Sequence, residues 1–309
     1  MDHVLVIGAS SLDVKGQSQS APVHATSIPG NIRNSIGGTG RNIAENLARL
    51  EVETRLITAV GDDFIGEWVL GHAAAVGIDV SHSVVLPGGR TGCYMALLEE
   101  HGVLDYAMYD MDVMHAITPE YLDQHVDLFK QAQMVVIDAN LPPDSIQTVM
   151  WLCTEYEVPL CADPTSTTLA SRLKPYLANF TMISPNVPET AVLCDCSFET
   201  SDRDAGQAAA RKLVVEGGVE LAVVTLSEFG VVYASEETSG RIPALRTQVV
   251  DETGAGDAQT AAIIFGLLQE IPLDESVRLG VTAASLTMRT RESVRPDLTV
   301  ELLYDELAI

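Results

Sequence analysis

Short apolar runs alternate with longer amphipathic segments along most of this chain, and that rhythm leaves few folds open. Strand-like runs at 4–7, 55–60, 134–138, 159–162, 180–184 and 221–226 are separated by helical patterns at 64–76, 145–156, 188–194, 204–216, 258–270 and 274–289. A parallel neighbour needs a crossover, and the crossover helix covers the sheet, so the alternation calls for a mostly parallel, doubly wound α/β sheet with helices on both faces. Gly77 follows the helix at 64–76 as a stop signal. Two segments break the rhythm. Residues 15–35 are polar and rich in Ser, Pro and Asn, while 84–111 look antiparallel, with 94–98 and 104–109 flanking Glu99-Glu100-His101-Gly102-Val103 as a hairpin. About 15–36 and 84–112 are therefore expected to form a small β-sheet lid over a pocket, within a single domain spanning all 309 residues. No internal repeat or low-complexity tract interrupts this reading.

Charge and cysteine usage exclude several function classes. The formal charge is −25, from 18 basic and 43 acidic side chains, which argues against nucleic acid or an anionic membrane as partner. A phosphorylated small molecule stays compatible, because a glycine-rich helix start binds one locally. With lysines at only 15, 130, 174 and 212, phosphate handling falls to backbone donors, arginine and metal. His3 leads directly into the first strand with no basic or apolar leader, and no apolar stretch reaches about 18 residues. Five cysteines form no CxxC pair, Cys194-x-Cys196 alone is a weak metal signal, and the seven histidines show no HExxH spacing. A cytoplasmic protein with reduced thiols and no protein-held zinc is expected.

In an open parallel sheet, ligands gather at the carboxyl ends of the strands. Ser11 and Asp13, Asn140, Asp163, Asn186 and Glu189, Thr225, and the stretch 251–257 all fall at such ends. The last of these is Asp251-Glu252-Thr253-Gly254-Ala255-Gly256-Asp257, between an alternating segment at 245–250 and a helical pattern. Its glycines let backbone N–H groups approach an anion, and the helix start adds its positive dipole end. Asp257 in the first turn can accept a proton beside that anion, the pairing that phosphoryl transfer to a hydroxyl needs. The same residues also have plain structural readings. Asn186-Val-Pro-Glu189 makes a good helix cap, Asp13 a capped turn, and Ser227 to Gly230 a turn. The chain has neither a G-x-G-x-x-G after its first strand nor a G-x-x-x-x-G-K-[ST] anywhere.

Together these residues resemble the PfkB, or ribokinase-like, family of carbohydrate and nucleoside kinases over essentially the full length. Gly37-Gly38-x-Gly40-x-Asn42-x-Ala44 resembles its first signature, Asp251-x-Thr253-Gly254-Ala255-Gly256-Asp257 its second, and Asn186-x-x-Glu189 its N-x-x-E element. The resemblance implies a doubly wound core with a β lid and ATP-dependent phosphorylation of a primary hydroxyl. It gives Asp257 the role of base and Gly254, Ala255 and Gly256 that of anion hole. Asp13, Gly38 and Asn42 would hold the sugar, with Asn140 and Ser11 nearby. Asn186, Thr225 and Gly230 would face ATP, and Glu189 would organise Mg²⁺ through water. Asp251 and Thr253 would begin a K⁺ loop completed from 287–296. Ser227, where many members have Gly, and Thr39, where ribokinases usually carry Lys, depart from the pattern. Within the family, Pro29-Gly30-Asn31-Ile32, Tyr109-Asp110-Met111-Asp112, Ile117-Thr118-Pro119-Glu120 and Asn140 resemble the pseudouridine kinases. The implied reaction is phosphorylation of a nucleoside 5′-hydroxyl, with ribokinase-type activity or a non-catalytic, nucleotide-binding regulator as alternatives. A homodimer through the lid is also implied, since exposed accessory strands have edges to cover.

Overall fold

The computed structural model describes residues 3–21, 25–99 and 104–307. In chain order the strands are β1 His3–Ile7, β2 Ser11–Ser18, β3 Gly30–Gly37, β4 Thr54–Ile57, β5 Ala59–Gly61, β6 Val84–Leu86 and β7 Gly92–Leu98. They continue with β8 Leu104–Asp110, β9 Ala132–Asp138, β10 Leu160–Asp163, β11 Met182–Ile183, β12 Leu221–Thr225, β13 Val231–Ser235 and β14 Ser239–Ile242. The large sheet runs β14-β13-β12-β11-β10-β9-β1-β4. All its pairings are parallel from β4 to β12, and β13 and β14 add an antiparallel edge.

Alternation along the buried strands explains why helices cover both faces. Leu5 and Ile7 of β1 point into one core with Ile146 and Val149 of helix Pro143–Glu155 and Ala210 and Leu213 of helix Arg203–Val215. Val4 and Val6 point the other way, against Ile43 and Leu47 of helix Thr39–Arg49 and Ile263 and Ile264 of helix Ala255–Leu268. Each such side chain taken out of water contributes roughly 1.5–3 kcal/mol, and a strand buried on both sides collects it at every residue. No helix among the described residues is long and apolar enough to cross a membrane.

Three features differ from the sequence reading. The run at 55–60 is two strands, because β4 joins the large sheet while β5 pairs with β6 in a separate ribbon. The edge hairpin β13–β14 has no separate signature, since a short apolar run beside a turn carries no strand direction. The alternating segment at 245–250 forms no strand.

The lid is a four-stranded sheet, β3-β2-β7-β8, whose β7–β8 hairpin matches the expected one; the hairpin tip at 100–103 lies outside the described residues. It begins at Ser11, ahead of the polar segment that announces it. On β2, Ser11, Asp13 and Lys15 are buried, and the residues between them are less so. On the opposite face, Ile32, Met95, Leu97, Tyr106 and Met108 are exposed and lie in cross-strand register.

Candidate active site

At the carboxyl ends of β10, β11 and β12 a cleft of about 920 Å³ opens, lined by Asp163, Asn186, Glu189, Thr225, Gly230, Ala255, Gly256 and Asp257. The helix Ala255–Leu268 enters it N-terminus first. Gly254 is its cap, with φ 81°, and a Cβ there would lie 1.8 Å from the Ser293 carbonyl oxygen, so the turn requires glycine. At Gly256 a Cβ would meet no protein atom within 4 Å. Nothing in the fold asks for glycine at that position; the open space belongs to the cleft. The first helical turn leaves N–H groups without intrahelical partners beside the cleft, of which Ala255 N donates to the Glu252 carbonyl at 3.3 Å.

Asp257 sits in that first turn, and Asn42 Nδ2 donates to its Oδ2 at 2.6 Å. Both family-like signatures therefore meet at one carboxylate. Desolvation, with repulsion from Asp138 and Asp13, raises the Asp257 pKa to about 7 against the lowering effect of the Asn42 bond. That value suits a general base working near neutrality.

The residues that the resemblance assigns to the substrate gather around the first strand's exit. Gly38 has φ 96° and would place a Cβ 2.3 Å from the Ala9 carbonyl oxygen, and Gly40 lies against the Gly8 backbone. Asp138, which sequence reasoning missed, welds these parts. Its Oδ2 accepts from Ala9 N at 2.7 Å and Gly40 N at 2.8 Å, and its Oδ1 accepts from Asn140 N at 2.9 Å. Asp13 accepts from Ser11 Oγ at 2.9 Å, and burial pushes its pKa up despite that bond and nearby Lys15. Asn42 Oδ1 is buried without a protein partner, an acceptor left for a ligand hydroxyl. Ser11, Asp13, Gly38, Asn42 and Asn140 do not line the cleft itself; the Asn42–Asp257 bond is what joins the two halves.

Where the resemblance expects the nucleotide, Asn186 and Glu189 take the helix-capping reading and also line the cleft. Asn186 Oδ1 accepts from Glu189 N at 3.0 Å and Glu189 Oε2 from Asn186 N at 2.9 Å, a capping box that also faces the cleft. Thr225 Oγ1 accepts from Gln259 Nε2 at 2.9 Å. Gly230 has φ 92°, and Ser227 takes φ 49°, the left-handed geometry for which glycine is better suited. Asp163, at the end of β10, is pushed well above its ordinary pKa by burial and by the charges of Asp257 and Glu189; burial also raises Glu189. Two raised carboxylates in one cleft are what a hydrated Mg²⁺ would stabilise, and no group of three acidic, His or Cys side chains among the described residues could cage a metal directly.

Asp251 and Thr253 are engaged differently from the K⁺ loop expected of them. Lys15 Nζ lies 3.0 Å from both Asp251 carboxylate oxygens and donates to Thr253 Oγ1, while Arg33 also pairs with Asp251 Oδ2. The side-chain oxygens that would ligate K⁺ already hold two cationic groups, so they do not fit a further ion. Burial alone would raise Asp251, but the Thr253 amide and Lys15 together hold its carboxyl below the usual range. The sign of Lys15 was present in the sequence: it is the third residue of the alternation Ser11, Asp13, Lys15.

The pfkB family carbohydrate kinase model matches residues 1–299. Pseudouridine kinase of Escherichia coli (strain K12) is 32% identical over 300 residues, covering 97% of this chain and 94% of that protein. Guanosine-inosine kinase of Exiguobacterium acetylicum is also 32% identical, over 96% of this chain and 98% of its own length. The structure of Arabidopsis thaliana ribokinase complexed with ribose and ATP is 21% identical and shares the fold at TM-score 0.85, with 100% of each chain covered. With a family model over nearly the whole length and a relative 32% identical over 97% of the chain, the chain belongs to the pfkB family of carbohydrate kinases and is a phosphotransferase.

Proposed function

We propose that the protein transfers the γ-phosphoryl group of ATP to the 5′-hydroxyl of a nucleoside, with pseudouridine the leading acceptor. The observation that carries the reading is the Asn42–Asp257 bond, which sets a buried, ligand-ready amide oxygen beside the raised carboxylate. Asp257 takes the hydroxyl proton, while the N–H groups of Gly254, Ala255 and Gly256 stabilise charge on the phosphoryl oxygens. Asp13, Gly38 and Asn42 grip the ribose, with Ser11 and Asn140 supporting them. Asn186, Thr225 and Gly230 line the nucleotide's path, and Glu189 with Asp163 would hold Mg²⁺ through water. Bound Mg²⁺ supplies neutralisation of the phosphate charge.

The acceptor rests on the likeness to pseudouridine kinase and on the lid segments. The equal identity to guanosine-inosine kinase keeps purine nucleosides, and ribose beyond them, as the second reading. Coupled ADP release over pseudouridine, uridine, inosine, guanosine and ribose decides. Turnover of ribose with none of the nucleosides overturns the nucleoside assignment, and silence with every acceptor favours a non-catalytic regulator.

The raised Asp257 fixes the sign of the pH dependence. The base must be unprotonated, so kcat/KM is expected to fall about tenfold per pH unit below about 7 and to level off above it. A profile flat down to pH about 5 would mean the carboxylate keeps an ordinary pKa.

The lid's outer face is read as the contact between two copies of this chain. Ile32 is 76% exposed and Met108 66%, on a sheet whose edge strands are also uncovered in the single chain. Sedimentation is expected to show a dimer that Met108→Lys converts to monomer; a wild-type monomer at micromolar concentration removes this interface.

A further inference from the structure

Lys15 reaches further than its neighbours on β2. Its ammonium crosses 236 positions of sequence to the loop ahead of helix Ala255–Leu268, where three oxygens from two residues surround it. Lys15 and Asp251 are only 6% and 9% exposed. A buried ammonium is costly unless its hydrogens all find acceptors, and here they do. Asp251 in turn accepts from Thr253 N at 2.9 Å, closing the turn that delivers the chain to Gly254. Behind that turn the Met288 carbonyl accepts from Val250 N at 2.8 Å and Asp251 N at 3.3 Å, and the Ser293 carbonyl packs on Gly254. The glycines ahead of the helix therefore stand on a turn whose side-chain oxygens are held by two side-chain cations, of which the Lys15 ammonium is the buried one and alone reaches both Asp251 and Thr253.

We propose that Lys15 is a built-in monovalent cation: its ammonium positions the Asp251–Thr253 turn, and through it the anion hole, so that turnover needs no free K⁺. An ammonium and a potassium ion carry the same charge and similar bulk, and both are satisfied by a shell of oxygens. The tether makes the cation permanent, sparing the protein the entropy of capturing an ion. Lys15 is a positioning residue, touching the loop and not the reacting atoms. The proposal rests on the phosphotransferase assignment and is independent of which acceptor is used.

The test compares wild type and Lys15→Met in chloride salts of K⁺, Na⁺, NH₄⁺ and tetramethylammonium at equal ionic strength, reading kcat and the thermal midpoint together. Wild type is expected to vary by no more than about twofold among K⁺, Na⁺ and tetramethylammonium, with no K⁺-specific rise in midpoint, because an ion without a site shifts nothing. Lys15→Met is expected to lose about tenfold or more in kcat through the loosened anion hole, and to be partly restored by NH₄⁺ or K⁺ but not by tetramethylammonium. Selective K⁺ activation of wild type above about tenfold, or a K⁺-specific midpoint rise in wild type, overturns the proposal. Loss of activity in Lys15→Met that no small cation restores, with an unchanged midpoint response, also counts against it. If that variant does not fold, the wild-type salt comparison decides alone. Absence of turnover in every salt and with every acceptor would instead defeat the kinase reading, and the wild-type midpoints would still judge Lys15.

Discussion

Asp257→Asn is expected to lower kcat by at least ~10²-fold while leaving ATP affinity nearly unchanged, the usual scale for loss of a positioned general base. The substitution is chemically narrow. Asn keeps the size of Asp, and its Oδ1 can still accept from Asn42 Nδ2, the bond that now measures 2.6 Å. What it loses is the charge that accepts the substrate proton. Stability is expected to hold or rise, because the buried Asp257 charge is repelled by Asp138 and Asp13 and itself raises Asp163, so removing it relieves that repulsion. Thermal melts, a calorimetric ATP titration and steady-state rates on the same preparation check all three parts. Wild-type turnover would remove Asp257 from the chemistry; a lost fold would mean that its charge holds the cleft together.

Much of this arrangement was legible because it depends on local pattern. Strands buried on both faces must be apolar throughout, so β1, β9 and β12 stand out as runs, and their exits locate the cleft. Asp257 was legible because the glycines before it fix where the helix begins. Asp138 was not, since the Ala9 and Gly40 amides that its Oδ2 accepts from lie 129 and 98 residues away and leave no local trace. Lys15 shows both limits at once. Its inward direction follows from the alternation with Ser11 and Asp13, but its partner is set by how the lid folds over the helix start. Periodicity carries direction, and only topology carries partnership. The β13–β14 hairpin escaped for a related reason: sheet membership does not distinguish an antiparallel edge from another parallel strand.

Gly256→Ala is expected to fold as well as wild type and to lose about 10²-fold in turnover, on the scale of removing one oxyanion-hole contact. Gly256 lies inside helix Ala255–Leu268 without left-handed backbone, and an added Cβ meets no protein atom within 4 Å. Alanine there should even favour the helix, by up to about 1 kcal/mol. The methyl group would instead project into the cleft that Gly256 lines, where the phosphoryl oxygens must approach the backbone. Gly254→Ala makes the opposite experiment. At φ 81° and 1.8 Å from the Ser293 carbonyl oxygen, its Cβ costs roughly 1–2 kcal/mol for the left-handed backbone and more for the clash, so the melting midpoint should drop. The pair separates two uses of glycine two positions apart, one required by the fold and the other by the ligand. Wild-type turnover in Gly256→Ala at an unchanged midpoint would place the transferring phosphoryl group elsewhere.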